Sequence, residues 1–272
     1  MTCHSELRGW YSRERNPITG KRKIVFDISK ALTDRPVTLP CGQCISCQLS
    51  KAGSWAARAC AEANLHRSNF FVTYTYENPS SDFSLRDLQL EFKRLRKSGQ
   101  KFRYMACCEL GEKTNRKHYH VAYFGLELQK LRKYTKSPSG FQLYNSETLE
   151  KSWPHGYAVV GNLSYESAGY IARYNLKNKE KPTLFTASRH PGLGLDYLNK
   201  YKQEILDSGF LVFQGRKVPI PKYFLQKIAL QHPAEYAIIK KDRRLASQAG
   251  KKPSKYTREK HARLLKQHFS KD

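Results

Sequence analysis

Two histidines stand two residues apart in the segment KHYHVAYFG, at His118 and His120. Because side chains alternate between the faces of a strand, both imidazoles would lie on one face of the strand that this segment predicts. Such a pair can bind one divalent ion, although two surface histidines are the simpler interpretation of the spacing alone. Glu109, near the end of the preceding predicted strand, offers a third ligand if the two strands form a hairpin. Two histidines and a carboxylate suit Mg²⁺ or Mn²⁺; Glu112 is the competing carboxylate but falls in the turn.

A second group of reactive side chains lies on the predicted helix YESAGYIARYNLKN. Tyr170, Tyr174 and Lys177 follow at intervals of four and three residues, so they share one helix face. The alternative is an amphipathic helix whose tyrosines pack into the core. A phenol with an ordinary pKa near ~10 attacks phosphate poorly unless a metal or a cation assists it. Lys177 has the charge to stabilise a phenolate or a phosphoryl transition state.

Three cysteines with the spacing C-x2-C-x2-C, Cys41, Cys44 and Cys47, predict a thiolate metal site. Cys3 is the candidate fourth ligand of a structural zinc ion. The competing interpretation is a set of small buried thiols at a turn. An iron–sulfur cluster is disfavoured because the position of its usual fourth cysteine holds Lys51. Further candidates for the fourth zinc ligand are His4, Cys60 and His66.

The elements that must position these residues predict an α+β class. FFVTYTY (70–76), RYMACCELG (103–111) and HYHVAYFG (118–125) are typical of strands, the last two joined as a hairpin. Residues 87–99 predict a helix with an apolar stripe of Leu88, Phe92 and Leu95 and a stop at Gly99. We expect a short helix in ETLEKSW, a strand in GYAVVGNLS, and irregular structure in YTKSPSGFQL (134–143) and at the N-terminus.

Composition restricts the class of partner. The chain has 272 residues with 49 Lys and Arg against 23 Asp and Glu, a formal net charge of +26. This excess argues against most enzymes of small metabolites and indicates a polyanionic partner, nucleic acid before an anionic membrane. We expect no membrane span and no signal peptide, because apolar residues never run far enough. A cytoplasmic protein follows, in which the seven cysteines are thiols or metal ligands.

Composition also separates three segments: a Cys-containing extension with a helix (1–66), a core (67–180) and a C-terminal region with a basic tail from about Lys240 (181–272). We expect the tail to contact DNA through charge alone. The basic run FKRLRK (92–97) is either a phosphate-binding face or a solvated one. Three tyrosines near basic segments can stack on bases, but core packing is the favoured interpretation for each: Tyr74, Tyr76 and Tyr223.

Taken together, these motifs resemble a known family. HYHVAYFG resembles the His-hydrophobe-His motif of HUH endonucleases, with Tyr119 as the middle residue, and FFVTYTY is similar to their first motif. YIARYNLK resembles their catalytic helix with two tyrosines and a lysine. With CGQCISCQ, FKRLRK and PGLGLDYL, the chain looks most like the replication initiators of microviruses of the gokushovirus type.

The resemblance implies an HUH-like antiparallel sheet flanked by helices, with the HUH strand at its centre. It implies that His118, His120 and Glu109 bind Mg²⁺ or Mn²⁺, that Tyr170 and Tyr174 are nucleophiles and that Lys177 assists them. One departure is that Glu109 follows Cys107 and Cys108, where the family more often has glycine.

The activity implied is site-specific nicking of single-stranded origin DNA through a 5′-phosphotyrosyl intermediate, with strand transfer, to start and end rolling-circle replication. Implied partners are origin DNA and a host helicase and polymerase, in the host bacterial cytoplasm. The alternative is a zinc-containing, non-catalytic nucleic-acid-binding protein, which the charge, the tail and the cysteines fit equally well.

Overall fold

The computed structural model describes residues 3–18, 20–78, 84–111, 116–174, 184–249 and 254–269. The chain divides into two compact units, Met1–Lys51 with Ala249–Asp272, and Ala52–Gln248. This division differs from the three segments of the composition, because residues from both ends of the chain make up the first unit. None of the helices in the described ranges has the length and apolarity needed to cross a lipid bilayer.

The first unit contains a three-stranded antiparallel sheet in the order β2-β1-β3. Its strands are β1 (Leu7–Arg15), β2 (Arg22–Val25) and β3 (Ala31–Leu39), with a 3₁₀ turn at Ile28–Lys30. The expectation of an irregular N-terminus is therefore wrong. Most side chains of these strands are exposed, so the segment lacks the apolar alternation by which a half-buried strand is recognised.

The remaining helices and strands follow in chain order. They are α1 (Ile45–Ala63), β4 (Asn69–Tyr76), α2 (Arg86–Lys97), β5 (Arg103–Leu110), β6 (Lys117–Phe124), β7 (Arg132–Lys136), β8 (Gln142–Asn145), α3 (Glu147–Ser152), β9 (Gly156–Asn162), α4 (Tyr165–Tyr174), β10 (Leu184–Ala187), α5 (Leu195–Lys200), α6 (Lys202–Ser208), β11 (Phe210–Phe213), β12 (Arg216–Pro219), α7 (Lys222–Gln231), α8 (Pro233–Ala249) and α9 (Lys255–Phe269). Strands β11 and β12 form a separate hairpin.

The main sheet has the order β10-β5-β6-β4-β9-β8-β7, and each neighbouring pair is antiparallel. The predicted pairing of β5 with β6 is present. The predicted α+β class, an antiparallel sheet flanked by helices, is confirmed. Strand β4 holds the middle position, and β6, which carries the two histidines, lies between β4 and β5.

Alternation along the central strands sends aromatic residues to one face. Tyr74, Tyr119 and Tyr123 are fully buried there against the apolar stripe of α2, which contains Leu88 and Phe92. Each buried ring stabilises the fold by about 2 kcal/mol. The same alternation turns His118 and His120 to the opposite face.

Small residues let helices approach that opposite face closely. Ala56 and Ala59 of α1 and Ala168 and Ile171 of α4 pack on the Phe124 end of the sheet. A third apolar cluster joins α1 to α5, α6, α7 and the β11–β12 hairpin. The histidine face is therefore covered at one end of the strands by α4.

Residues 134–143, predicted as a loop, instead contain most of a hairpin between β7 and β8. The turn is short: the Ser137 amide donates to the Phe141 carbonyl and the Gly140 amide to the Ser137 carbonyl, both at 2.8 Å. Gly140 has φ +83°, a conformation that glycine adopts without strain. The pattern was missed because all five residues of β7 are exposed.

Candidate active site and metal centre

Two threonines on β4 hold the two histidines of β6. The strands pair so that Thr75 lies opposite His118 and Thr73 opposite His120. Each threonine Oγ1 contacts the Nδ1 atom of its partner, at 3.2 Å for His118 and 3.0 Å for His120. A partner on Nδ1 fixes the ring orientation and leaves Nε2 to face the site, as hydroxyl and carbonyl partners do around metal-binding histidines.

Glu109 faces the histidines from β5, where its Cα lies opposite that of His118. Its Oε1 is 2.8 Å from Nε2 of His120, and both side chains are about nine-tenths buried. The hydroxyl of Tyr170, on α4, donates to the same Oε1 at 3.5 Å. The Tyr170 ring meets the His120 ring edge-on, with centroids 5.1 Å apart. A carboxylate, an imidazole and a phenol from three elements therefore meet at one point.

Burial lowers the pKa of His118, and the neighbouring His120 and Arg116 lower it further, while Glu109 opposes the shift. His118 is consequently neutral at physiological pH, the form in which a histidine binds a metal ion.

The site has the donor chemistry of a divalent-ion site. In an octahedral shell with bonds of ~2.1 Å, adjacent ligands lie about 3 Å apart, close to the separation of Glu109 from His120. The donor atoms of His118, His120 and Glu109 are not all within 4.8 Å of one another. The residues fit an ion, with His118 needing the largest adjustment.

The two other predicted residues of the catalytic helix lie at its end. Tyr174 is the last residue of α4. Its side chain and the whole of Lys177 are outside the described residues, as is Glu112. Arg173, also on α4, places its guanidinium carbon 5.9 Å from the Tyr170 ring centre.

Four cysteines in the first unit, Cys3, Cys41, Cys44 and Cys47, come together with all sulfur atoms within 4.8 Å. The Cys3 sulfur is 3.6 Å from that of Cys41 and 3.8 Å from that of Cys44. In a tetrahedral zinc site with bonds of ~2.3 Å, sulfur atoms are about 3.8 Å apart. The cluster can hold a metal ion, and its geometry fits zinc.

Backbone amides prepare two of these thiols for ionisation. Hydrogen bonds from the Cys44 and Gln43 amides lower the pKa of Cys41. Burial raises the pKa of Cys44, but hydrogen bonds from the His4 and Cys47 amides and from neighbouring thiols outweigh it and lower the value to about 6. Thiolates are the form that binds metal.

The other candidate ligands have different partners. Nε2 of His4 contacts the Ser46 hydroxyl at 3.0 Å, and Nε2 of His66 contacts Glu62 at 3.2 Å. Cys60 packs among apolar residues of the second unit, where burial raises its pKa to about 12. Tyr74 and Tyr76 are buried in the core, as favoured from the sequence.

Sequence reasoning missed Thr73 and Thr75 as residues of the site. A signal was present, since Thr-Tyr-Thr on β4 repeats the alternation of His-Tyr-His on β6. In both strands the tyrosine is buried in the core and the polar residues share the other face. Register, which fixes the pairing, is decided by the folded sheet.

Residues 69–179 match the model of a family of replication-associated proteins described by its member ORF2. The chain is similar to replication-associated protein VP4 of Bdellovibrio phage phiMH2K, 27% identical over 87% of this chain and 80% of the relative. It is also similar to replication-associated protein ORF2 of Spiroplasma virus 4, 28% identical over 73% and 70%, and to ORF4 of Chlamydia phage 1, 28% identical over 68% and 52%. No solved structure matches the chain. The resemblance stated from the sequence is thus confirmed by its relatives.

Proposed function

Because the chain is a relative of phage replication-associated proteins, we propose that it initiates rolling-circle replication as a metal-dependent HUH endonuclease. It nicks single-stranded origin DNA at one site and later rejoins the strand. The relatives' names support a role in replication. The nicking chemistry rests on the residues of the site.

One observation carries the proposal: the Tyr170 hydroxyl lies 3.5 Å from the Glu109 oxygen that is itself 2.8 Å from His120. A nucleophile is thereby held beside two groups that suit a divalent ion. Tyr170 is anchored by Phe71, whose ring meets the tyrosine ring edge-on at 6.2 Å. A phenol so fixed loses little further freedom on attack, which lowers the entropic part of the barrier.

The reaction is a transesterification. Mg²⁺ or Mn²⁺, held by His118, His120 and Glu109, would supply Lewis-acid polarisation of the scissile phosphate. The Tyr170 oxygen attacks phosphorus while the phosphorus–O3′ bond breaks. The phenolic proton leaves toward Glu109, and the departing O3′ takes a proton to become a free 3′-OH. The phosphotyrosyl bond stores the energy for rejoining, so no nucleotide cofactor is required.

Tyr174 serves as the second nucleophile in this proposal. It lies about one helical turn from Tyr170, so one phosphate site can receive either phenol after a modest adjustment. After one round of synthesis, it attacks the regenerated junction while Tyr170 still carries DNA. Lys177 contributes positive charge to the phosphoryl transition state.

The cysteine cluster is proposed to bind structural zinc, and the basic surface to bind DNA. Zinc through Cys3, Cys41, Cys44 and Cys47 would tie residues near the chain start to the beginning of α1. The free 3′-OH requires a polymerase, and strand displacement requires a helicase. We therefore propose that both are supplied by the bacterial host in whose cytoplasm the phage replicates.

The test is covalent trapping on DNA. Overlapping single-stranded oligonucleotides that tile the phage genome, labelled at the 3′ end, are incubated with the protein and Mn²⁺ and then denatured. We expect one oligonucleotide to leave a labelled adduct, since the protein stays on the 5′-phosphate of the downstream fragment. A shift on native gels that vanishes on denaturation for every oligonucleotide would instead identify the non-catalytic binding protein.

Tyrosine variants identify the nucleophile. Tyr170→Phe and Tyr174→Phe should each retain some adduct, and the double variant none, because phenylalanine keeps the ring but lacks the attacking oxygen. Tyr165→Phe, at the start of the same helix, is the matched control and should form adduct as the wild type does. DNA found by peptide mapping on any tyrosine other than Tyr170 or Tyr174 would contradict the assignment.

A further inference from the structure

A cleft of about 530 Å³ lies at the end of β5 away from Glu109. Its lining includes three arginines and a histidine: Arg96 of α2, Arg103 at the start of β5, and Arg189 and His190 after β10. No carboxylate lines it among the residues that the structure describes. The expected ligand is therefore an anion.

Arg103 forms a fixed floor for this cleft. Its Nε is 2.6 Å from Oε1 of the buried Glu62, and its two terminal nitrogens donate to the carbonyls of His190 and Pro191, at 3.4 and 2.5 Å. The charge of Arg103 is thus balanced by Glu62. The segment that carries Arg189 is held against β5 by the same guanidinium.

Arg96 and Arg189 supply the uncompensated charge. Both are exposed, and neither pairs with a carboxylate of the described residues. The Arg96 guanidinium carbon lies 4.7 Å from the ring centre of Phe102, a cation–π contact that orients it toward the cleft. The Ser188 hydroxyl, which accepts from the Tyr104 amide at 3.1 Å, has its own proton to donate. Two guanidinium groups with a hydroxyl between them are the donors that phosphate oxygens bind.

We propose that this cleft is a second binding site for the substrate strand, taking the phosphodiester backbone of DNA about 20 Å from the scissile phosphate. The distance follows from the six residues of β5 between Arg103 and Glu109 at ~3.4 Å each. It corresponds to about six base pairs of duplex DNA. The inference rests on the proposed function for the identity of the ligand and adds where the DNA runs.

The experiment compares two charge-matched double variants. Arg96→Gln with Arg189→Gln removes the cleft charges. Lys93→Gln with Lys97→Gln removes two exposed charges of α2 outside the cleft lining. Affinity for the oligonucleotide selected by trapping is measured with chelator present, between about 50 and 200 mM salt. An unchanged thermal transition shows that each variant is folded.

We expect the cleft variant to bind about tenfold more weakly at 0.1 M salt, with a salt slope smaller by about 1.4, since each single-strand phosphate contact contributes ~0.7. The lysine variant should change affinity less than about twofold. Shortening the oligonucleotide to remove phosphates beyond about four positions from the nick should abolish the difference between wild type and cleft variant. Equal losses in both double variants, or a cleft effect that persists on the short strand, would overturn the proposal.

Binding is measured without divalent metal, so this result is independent of nicking. If the wild type binds the oligonucleotide but never forms an adduct, the proposed function fails while the cleft comparison still gives its answer.

Discussion

The Thr73 hydroxyl lies 3.0 Å from Nδ1 of His120 and so keeps Nε2 directed at Glu109. Thr73→Val keeps the shape of the side chain and removes this contact. We expect the Mn²⁺ concentration for half-maximal adduct formation to rise about 10–100-fold, the usual cost of losing a partner behind a metal ligand. Metal titration of adduct formation measures this.

Thr73→Ser is the matched control because it retains the hydroxyl and should stay near the wild-type titration. If valine and serine variants need the same Mn²⁺ concentration, the hydroxyl does not orient His120.

At the scale of elements, two glycines separate steric overlap from backbone strain. Gly156 begins β9 with φ +147°, and an added Cβ would lie 2.4 Å from the Glu77 amide nitrogen. Gly140, in the β7–β8 turn, has φ +83° with open space around it. We expect Gly140→Ala to lower the free energy of unfolding by about 1 kcal/mol and Gly156→Ala by more than about 3 kcal/mol, measured by urea denaturation. Equal losses would show that the β4–β9 connection yields to the extra methyl group.

The contact of α1 with β5 and the segment before α5 depends on one buried carboxylate. Burial raises the pKa of Glu62, but hydrogen bonds from His66 and the Gly194 amide and the charge of Arg103 outweigh it, so the net shift is downward. A depressed folded pKa means that ionised Glu62 stabilises the fold above its unfolded pKa of ~4.3. That contribution is lost as pH falls through the folded value.

Glu62→Gln should therefore lower the free energy of unfolding by about 3 kcal/mol at pH 7, with a smaller difference from wild type in acid below about pH 4. Denaturation at both pH values measures the two differences. Glu204→Gln, at an exposed position, should change neither. A deficit that is constant with pH would contradict the role of the charge.

For the whole molecule, metal content tests the first unit. Protein purified without chelator should contain about one zinc ion, and removing it should lower the melting temperature, because the ion binds the folded state. Cys44→Ser should lose the zinc. Cys60→Ser, outside the cluster, should keep it. A zinc-free wild type would favour the buried-thiol interpretation.

The sequence predicted the central hairpin, α2 and the strand β4 because alternating or helical apolar patterns are strong where one face is buried. It did not predict β1 to β3 or the β7–β8 hairpin, whose exposed strands carry no such pattern. Local patterns decide elements that bury a face; tertiary pairing decides the others.

The candidate site was predictable in its residue types, and less so in its contacts. Cys3 was one of four candidates for the last position of its cluster, since 38 residues separate it from Cys41. The contact of Tyr170 with Glu109 spans 61 residues. Such contacts depend on how α4 packs on the sheet, which no local pattern encodes.

The exposed strand β7 has a consequence for how copies of this protein behave at high concentration. As the last strand in the sheet order, it offers unpaired backbone groups to any second strand. All of its side chains are exposed, and Lys133 and Lys136 are among them. Two copies meeting edge to edge would bring these cations together, on chains that each carry a net charge of +26. Repulsion along this edge opposes sheet-to-sheet aggregation and keeps the protein dispersed until a polyanion neutralises it.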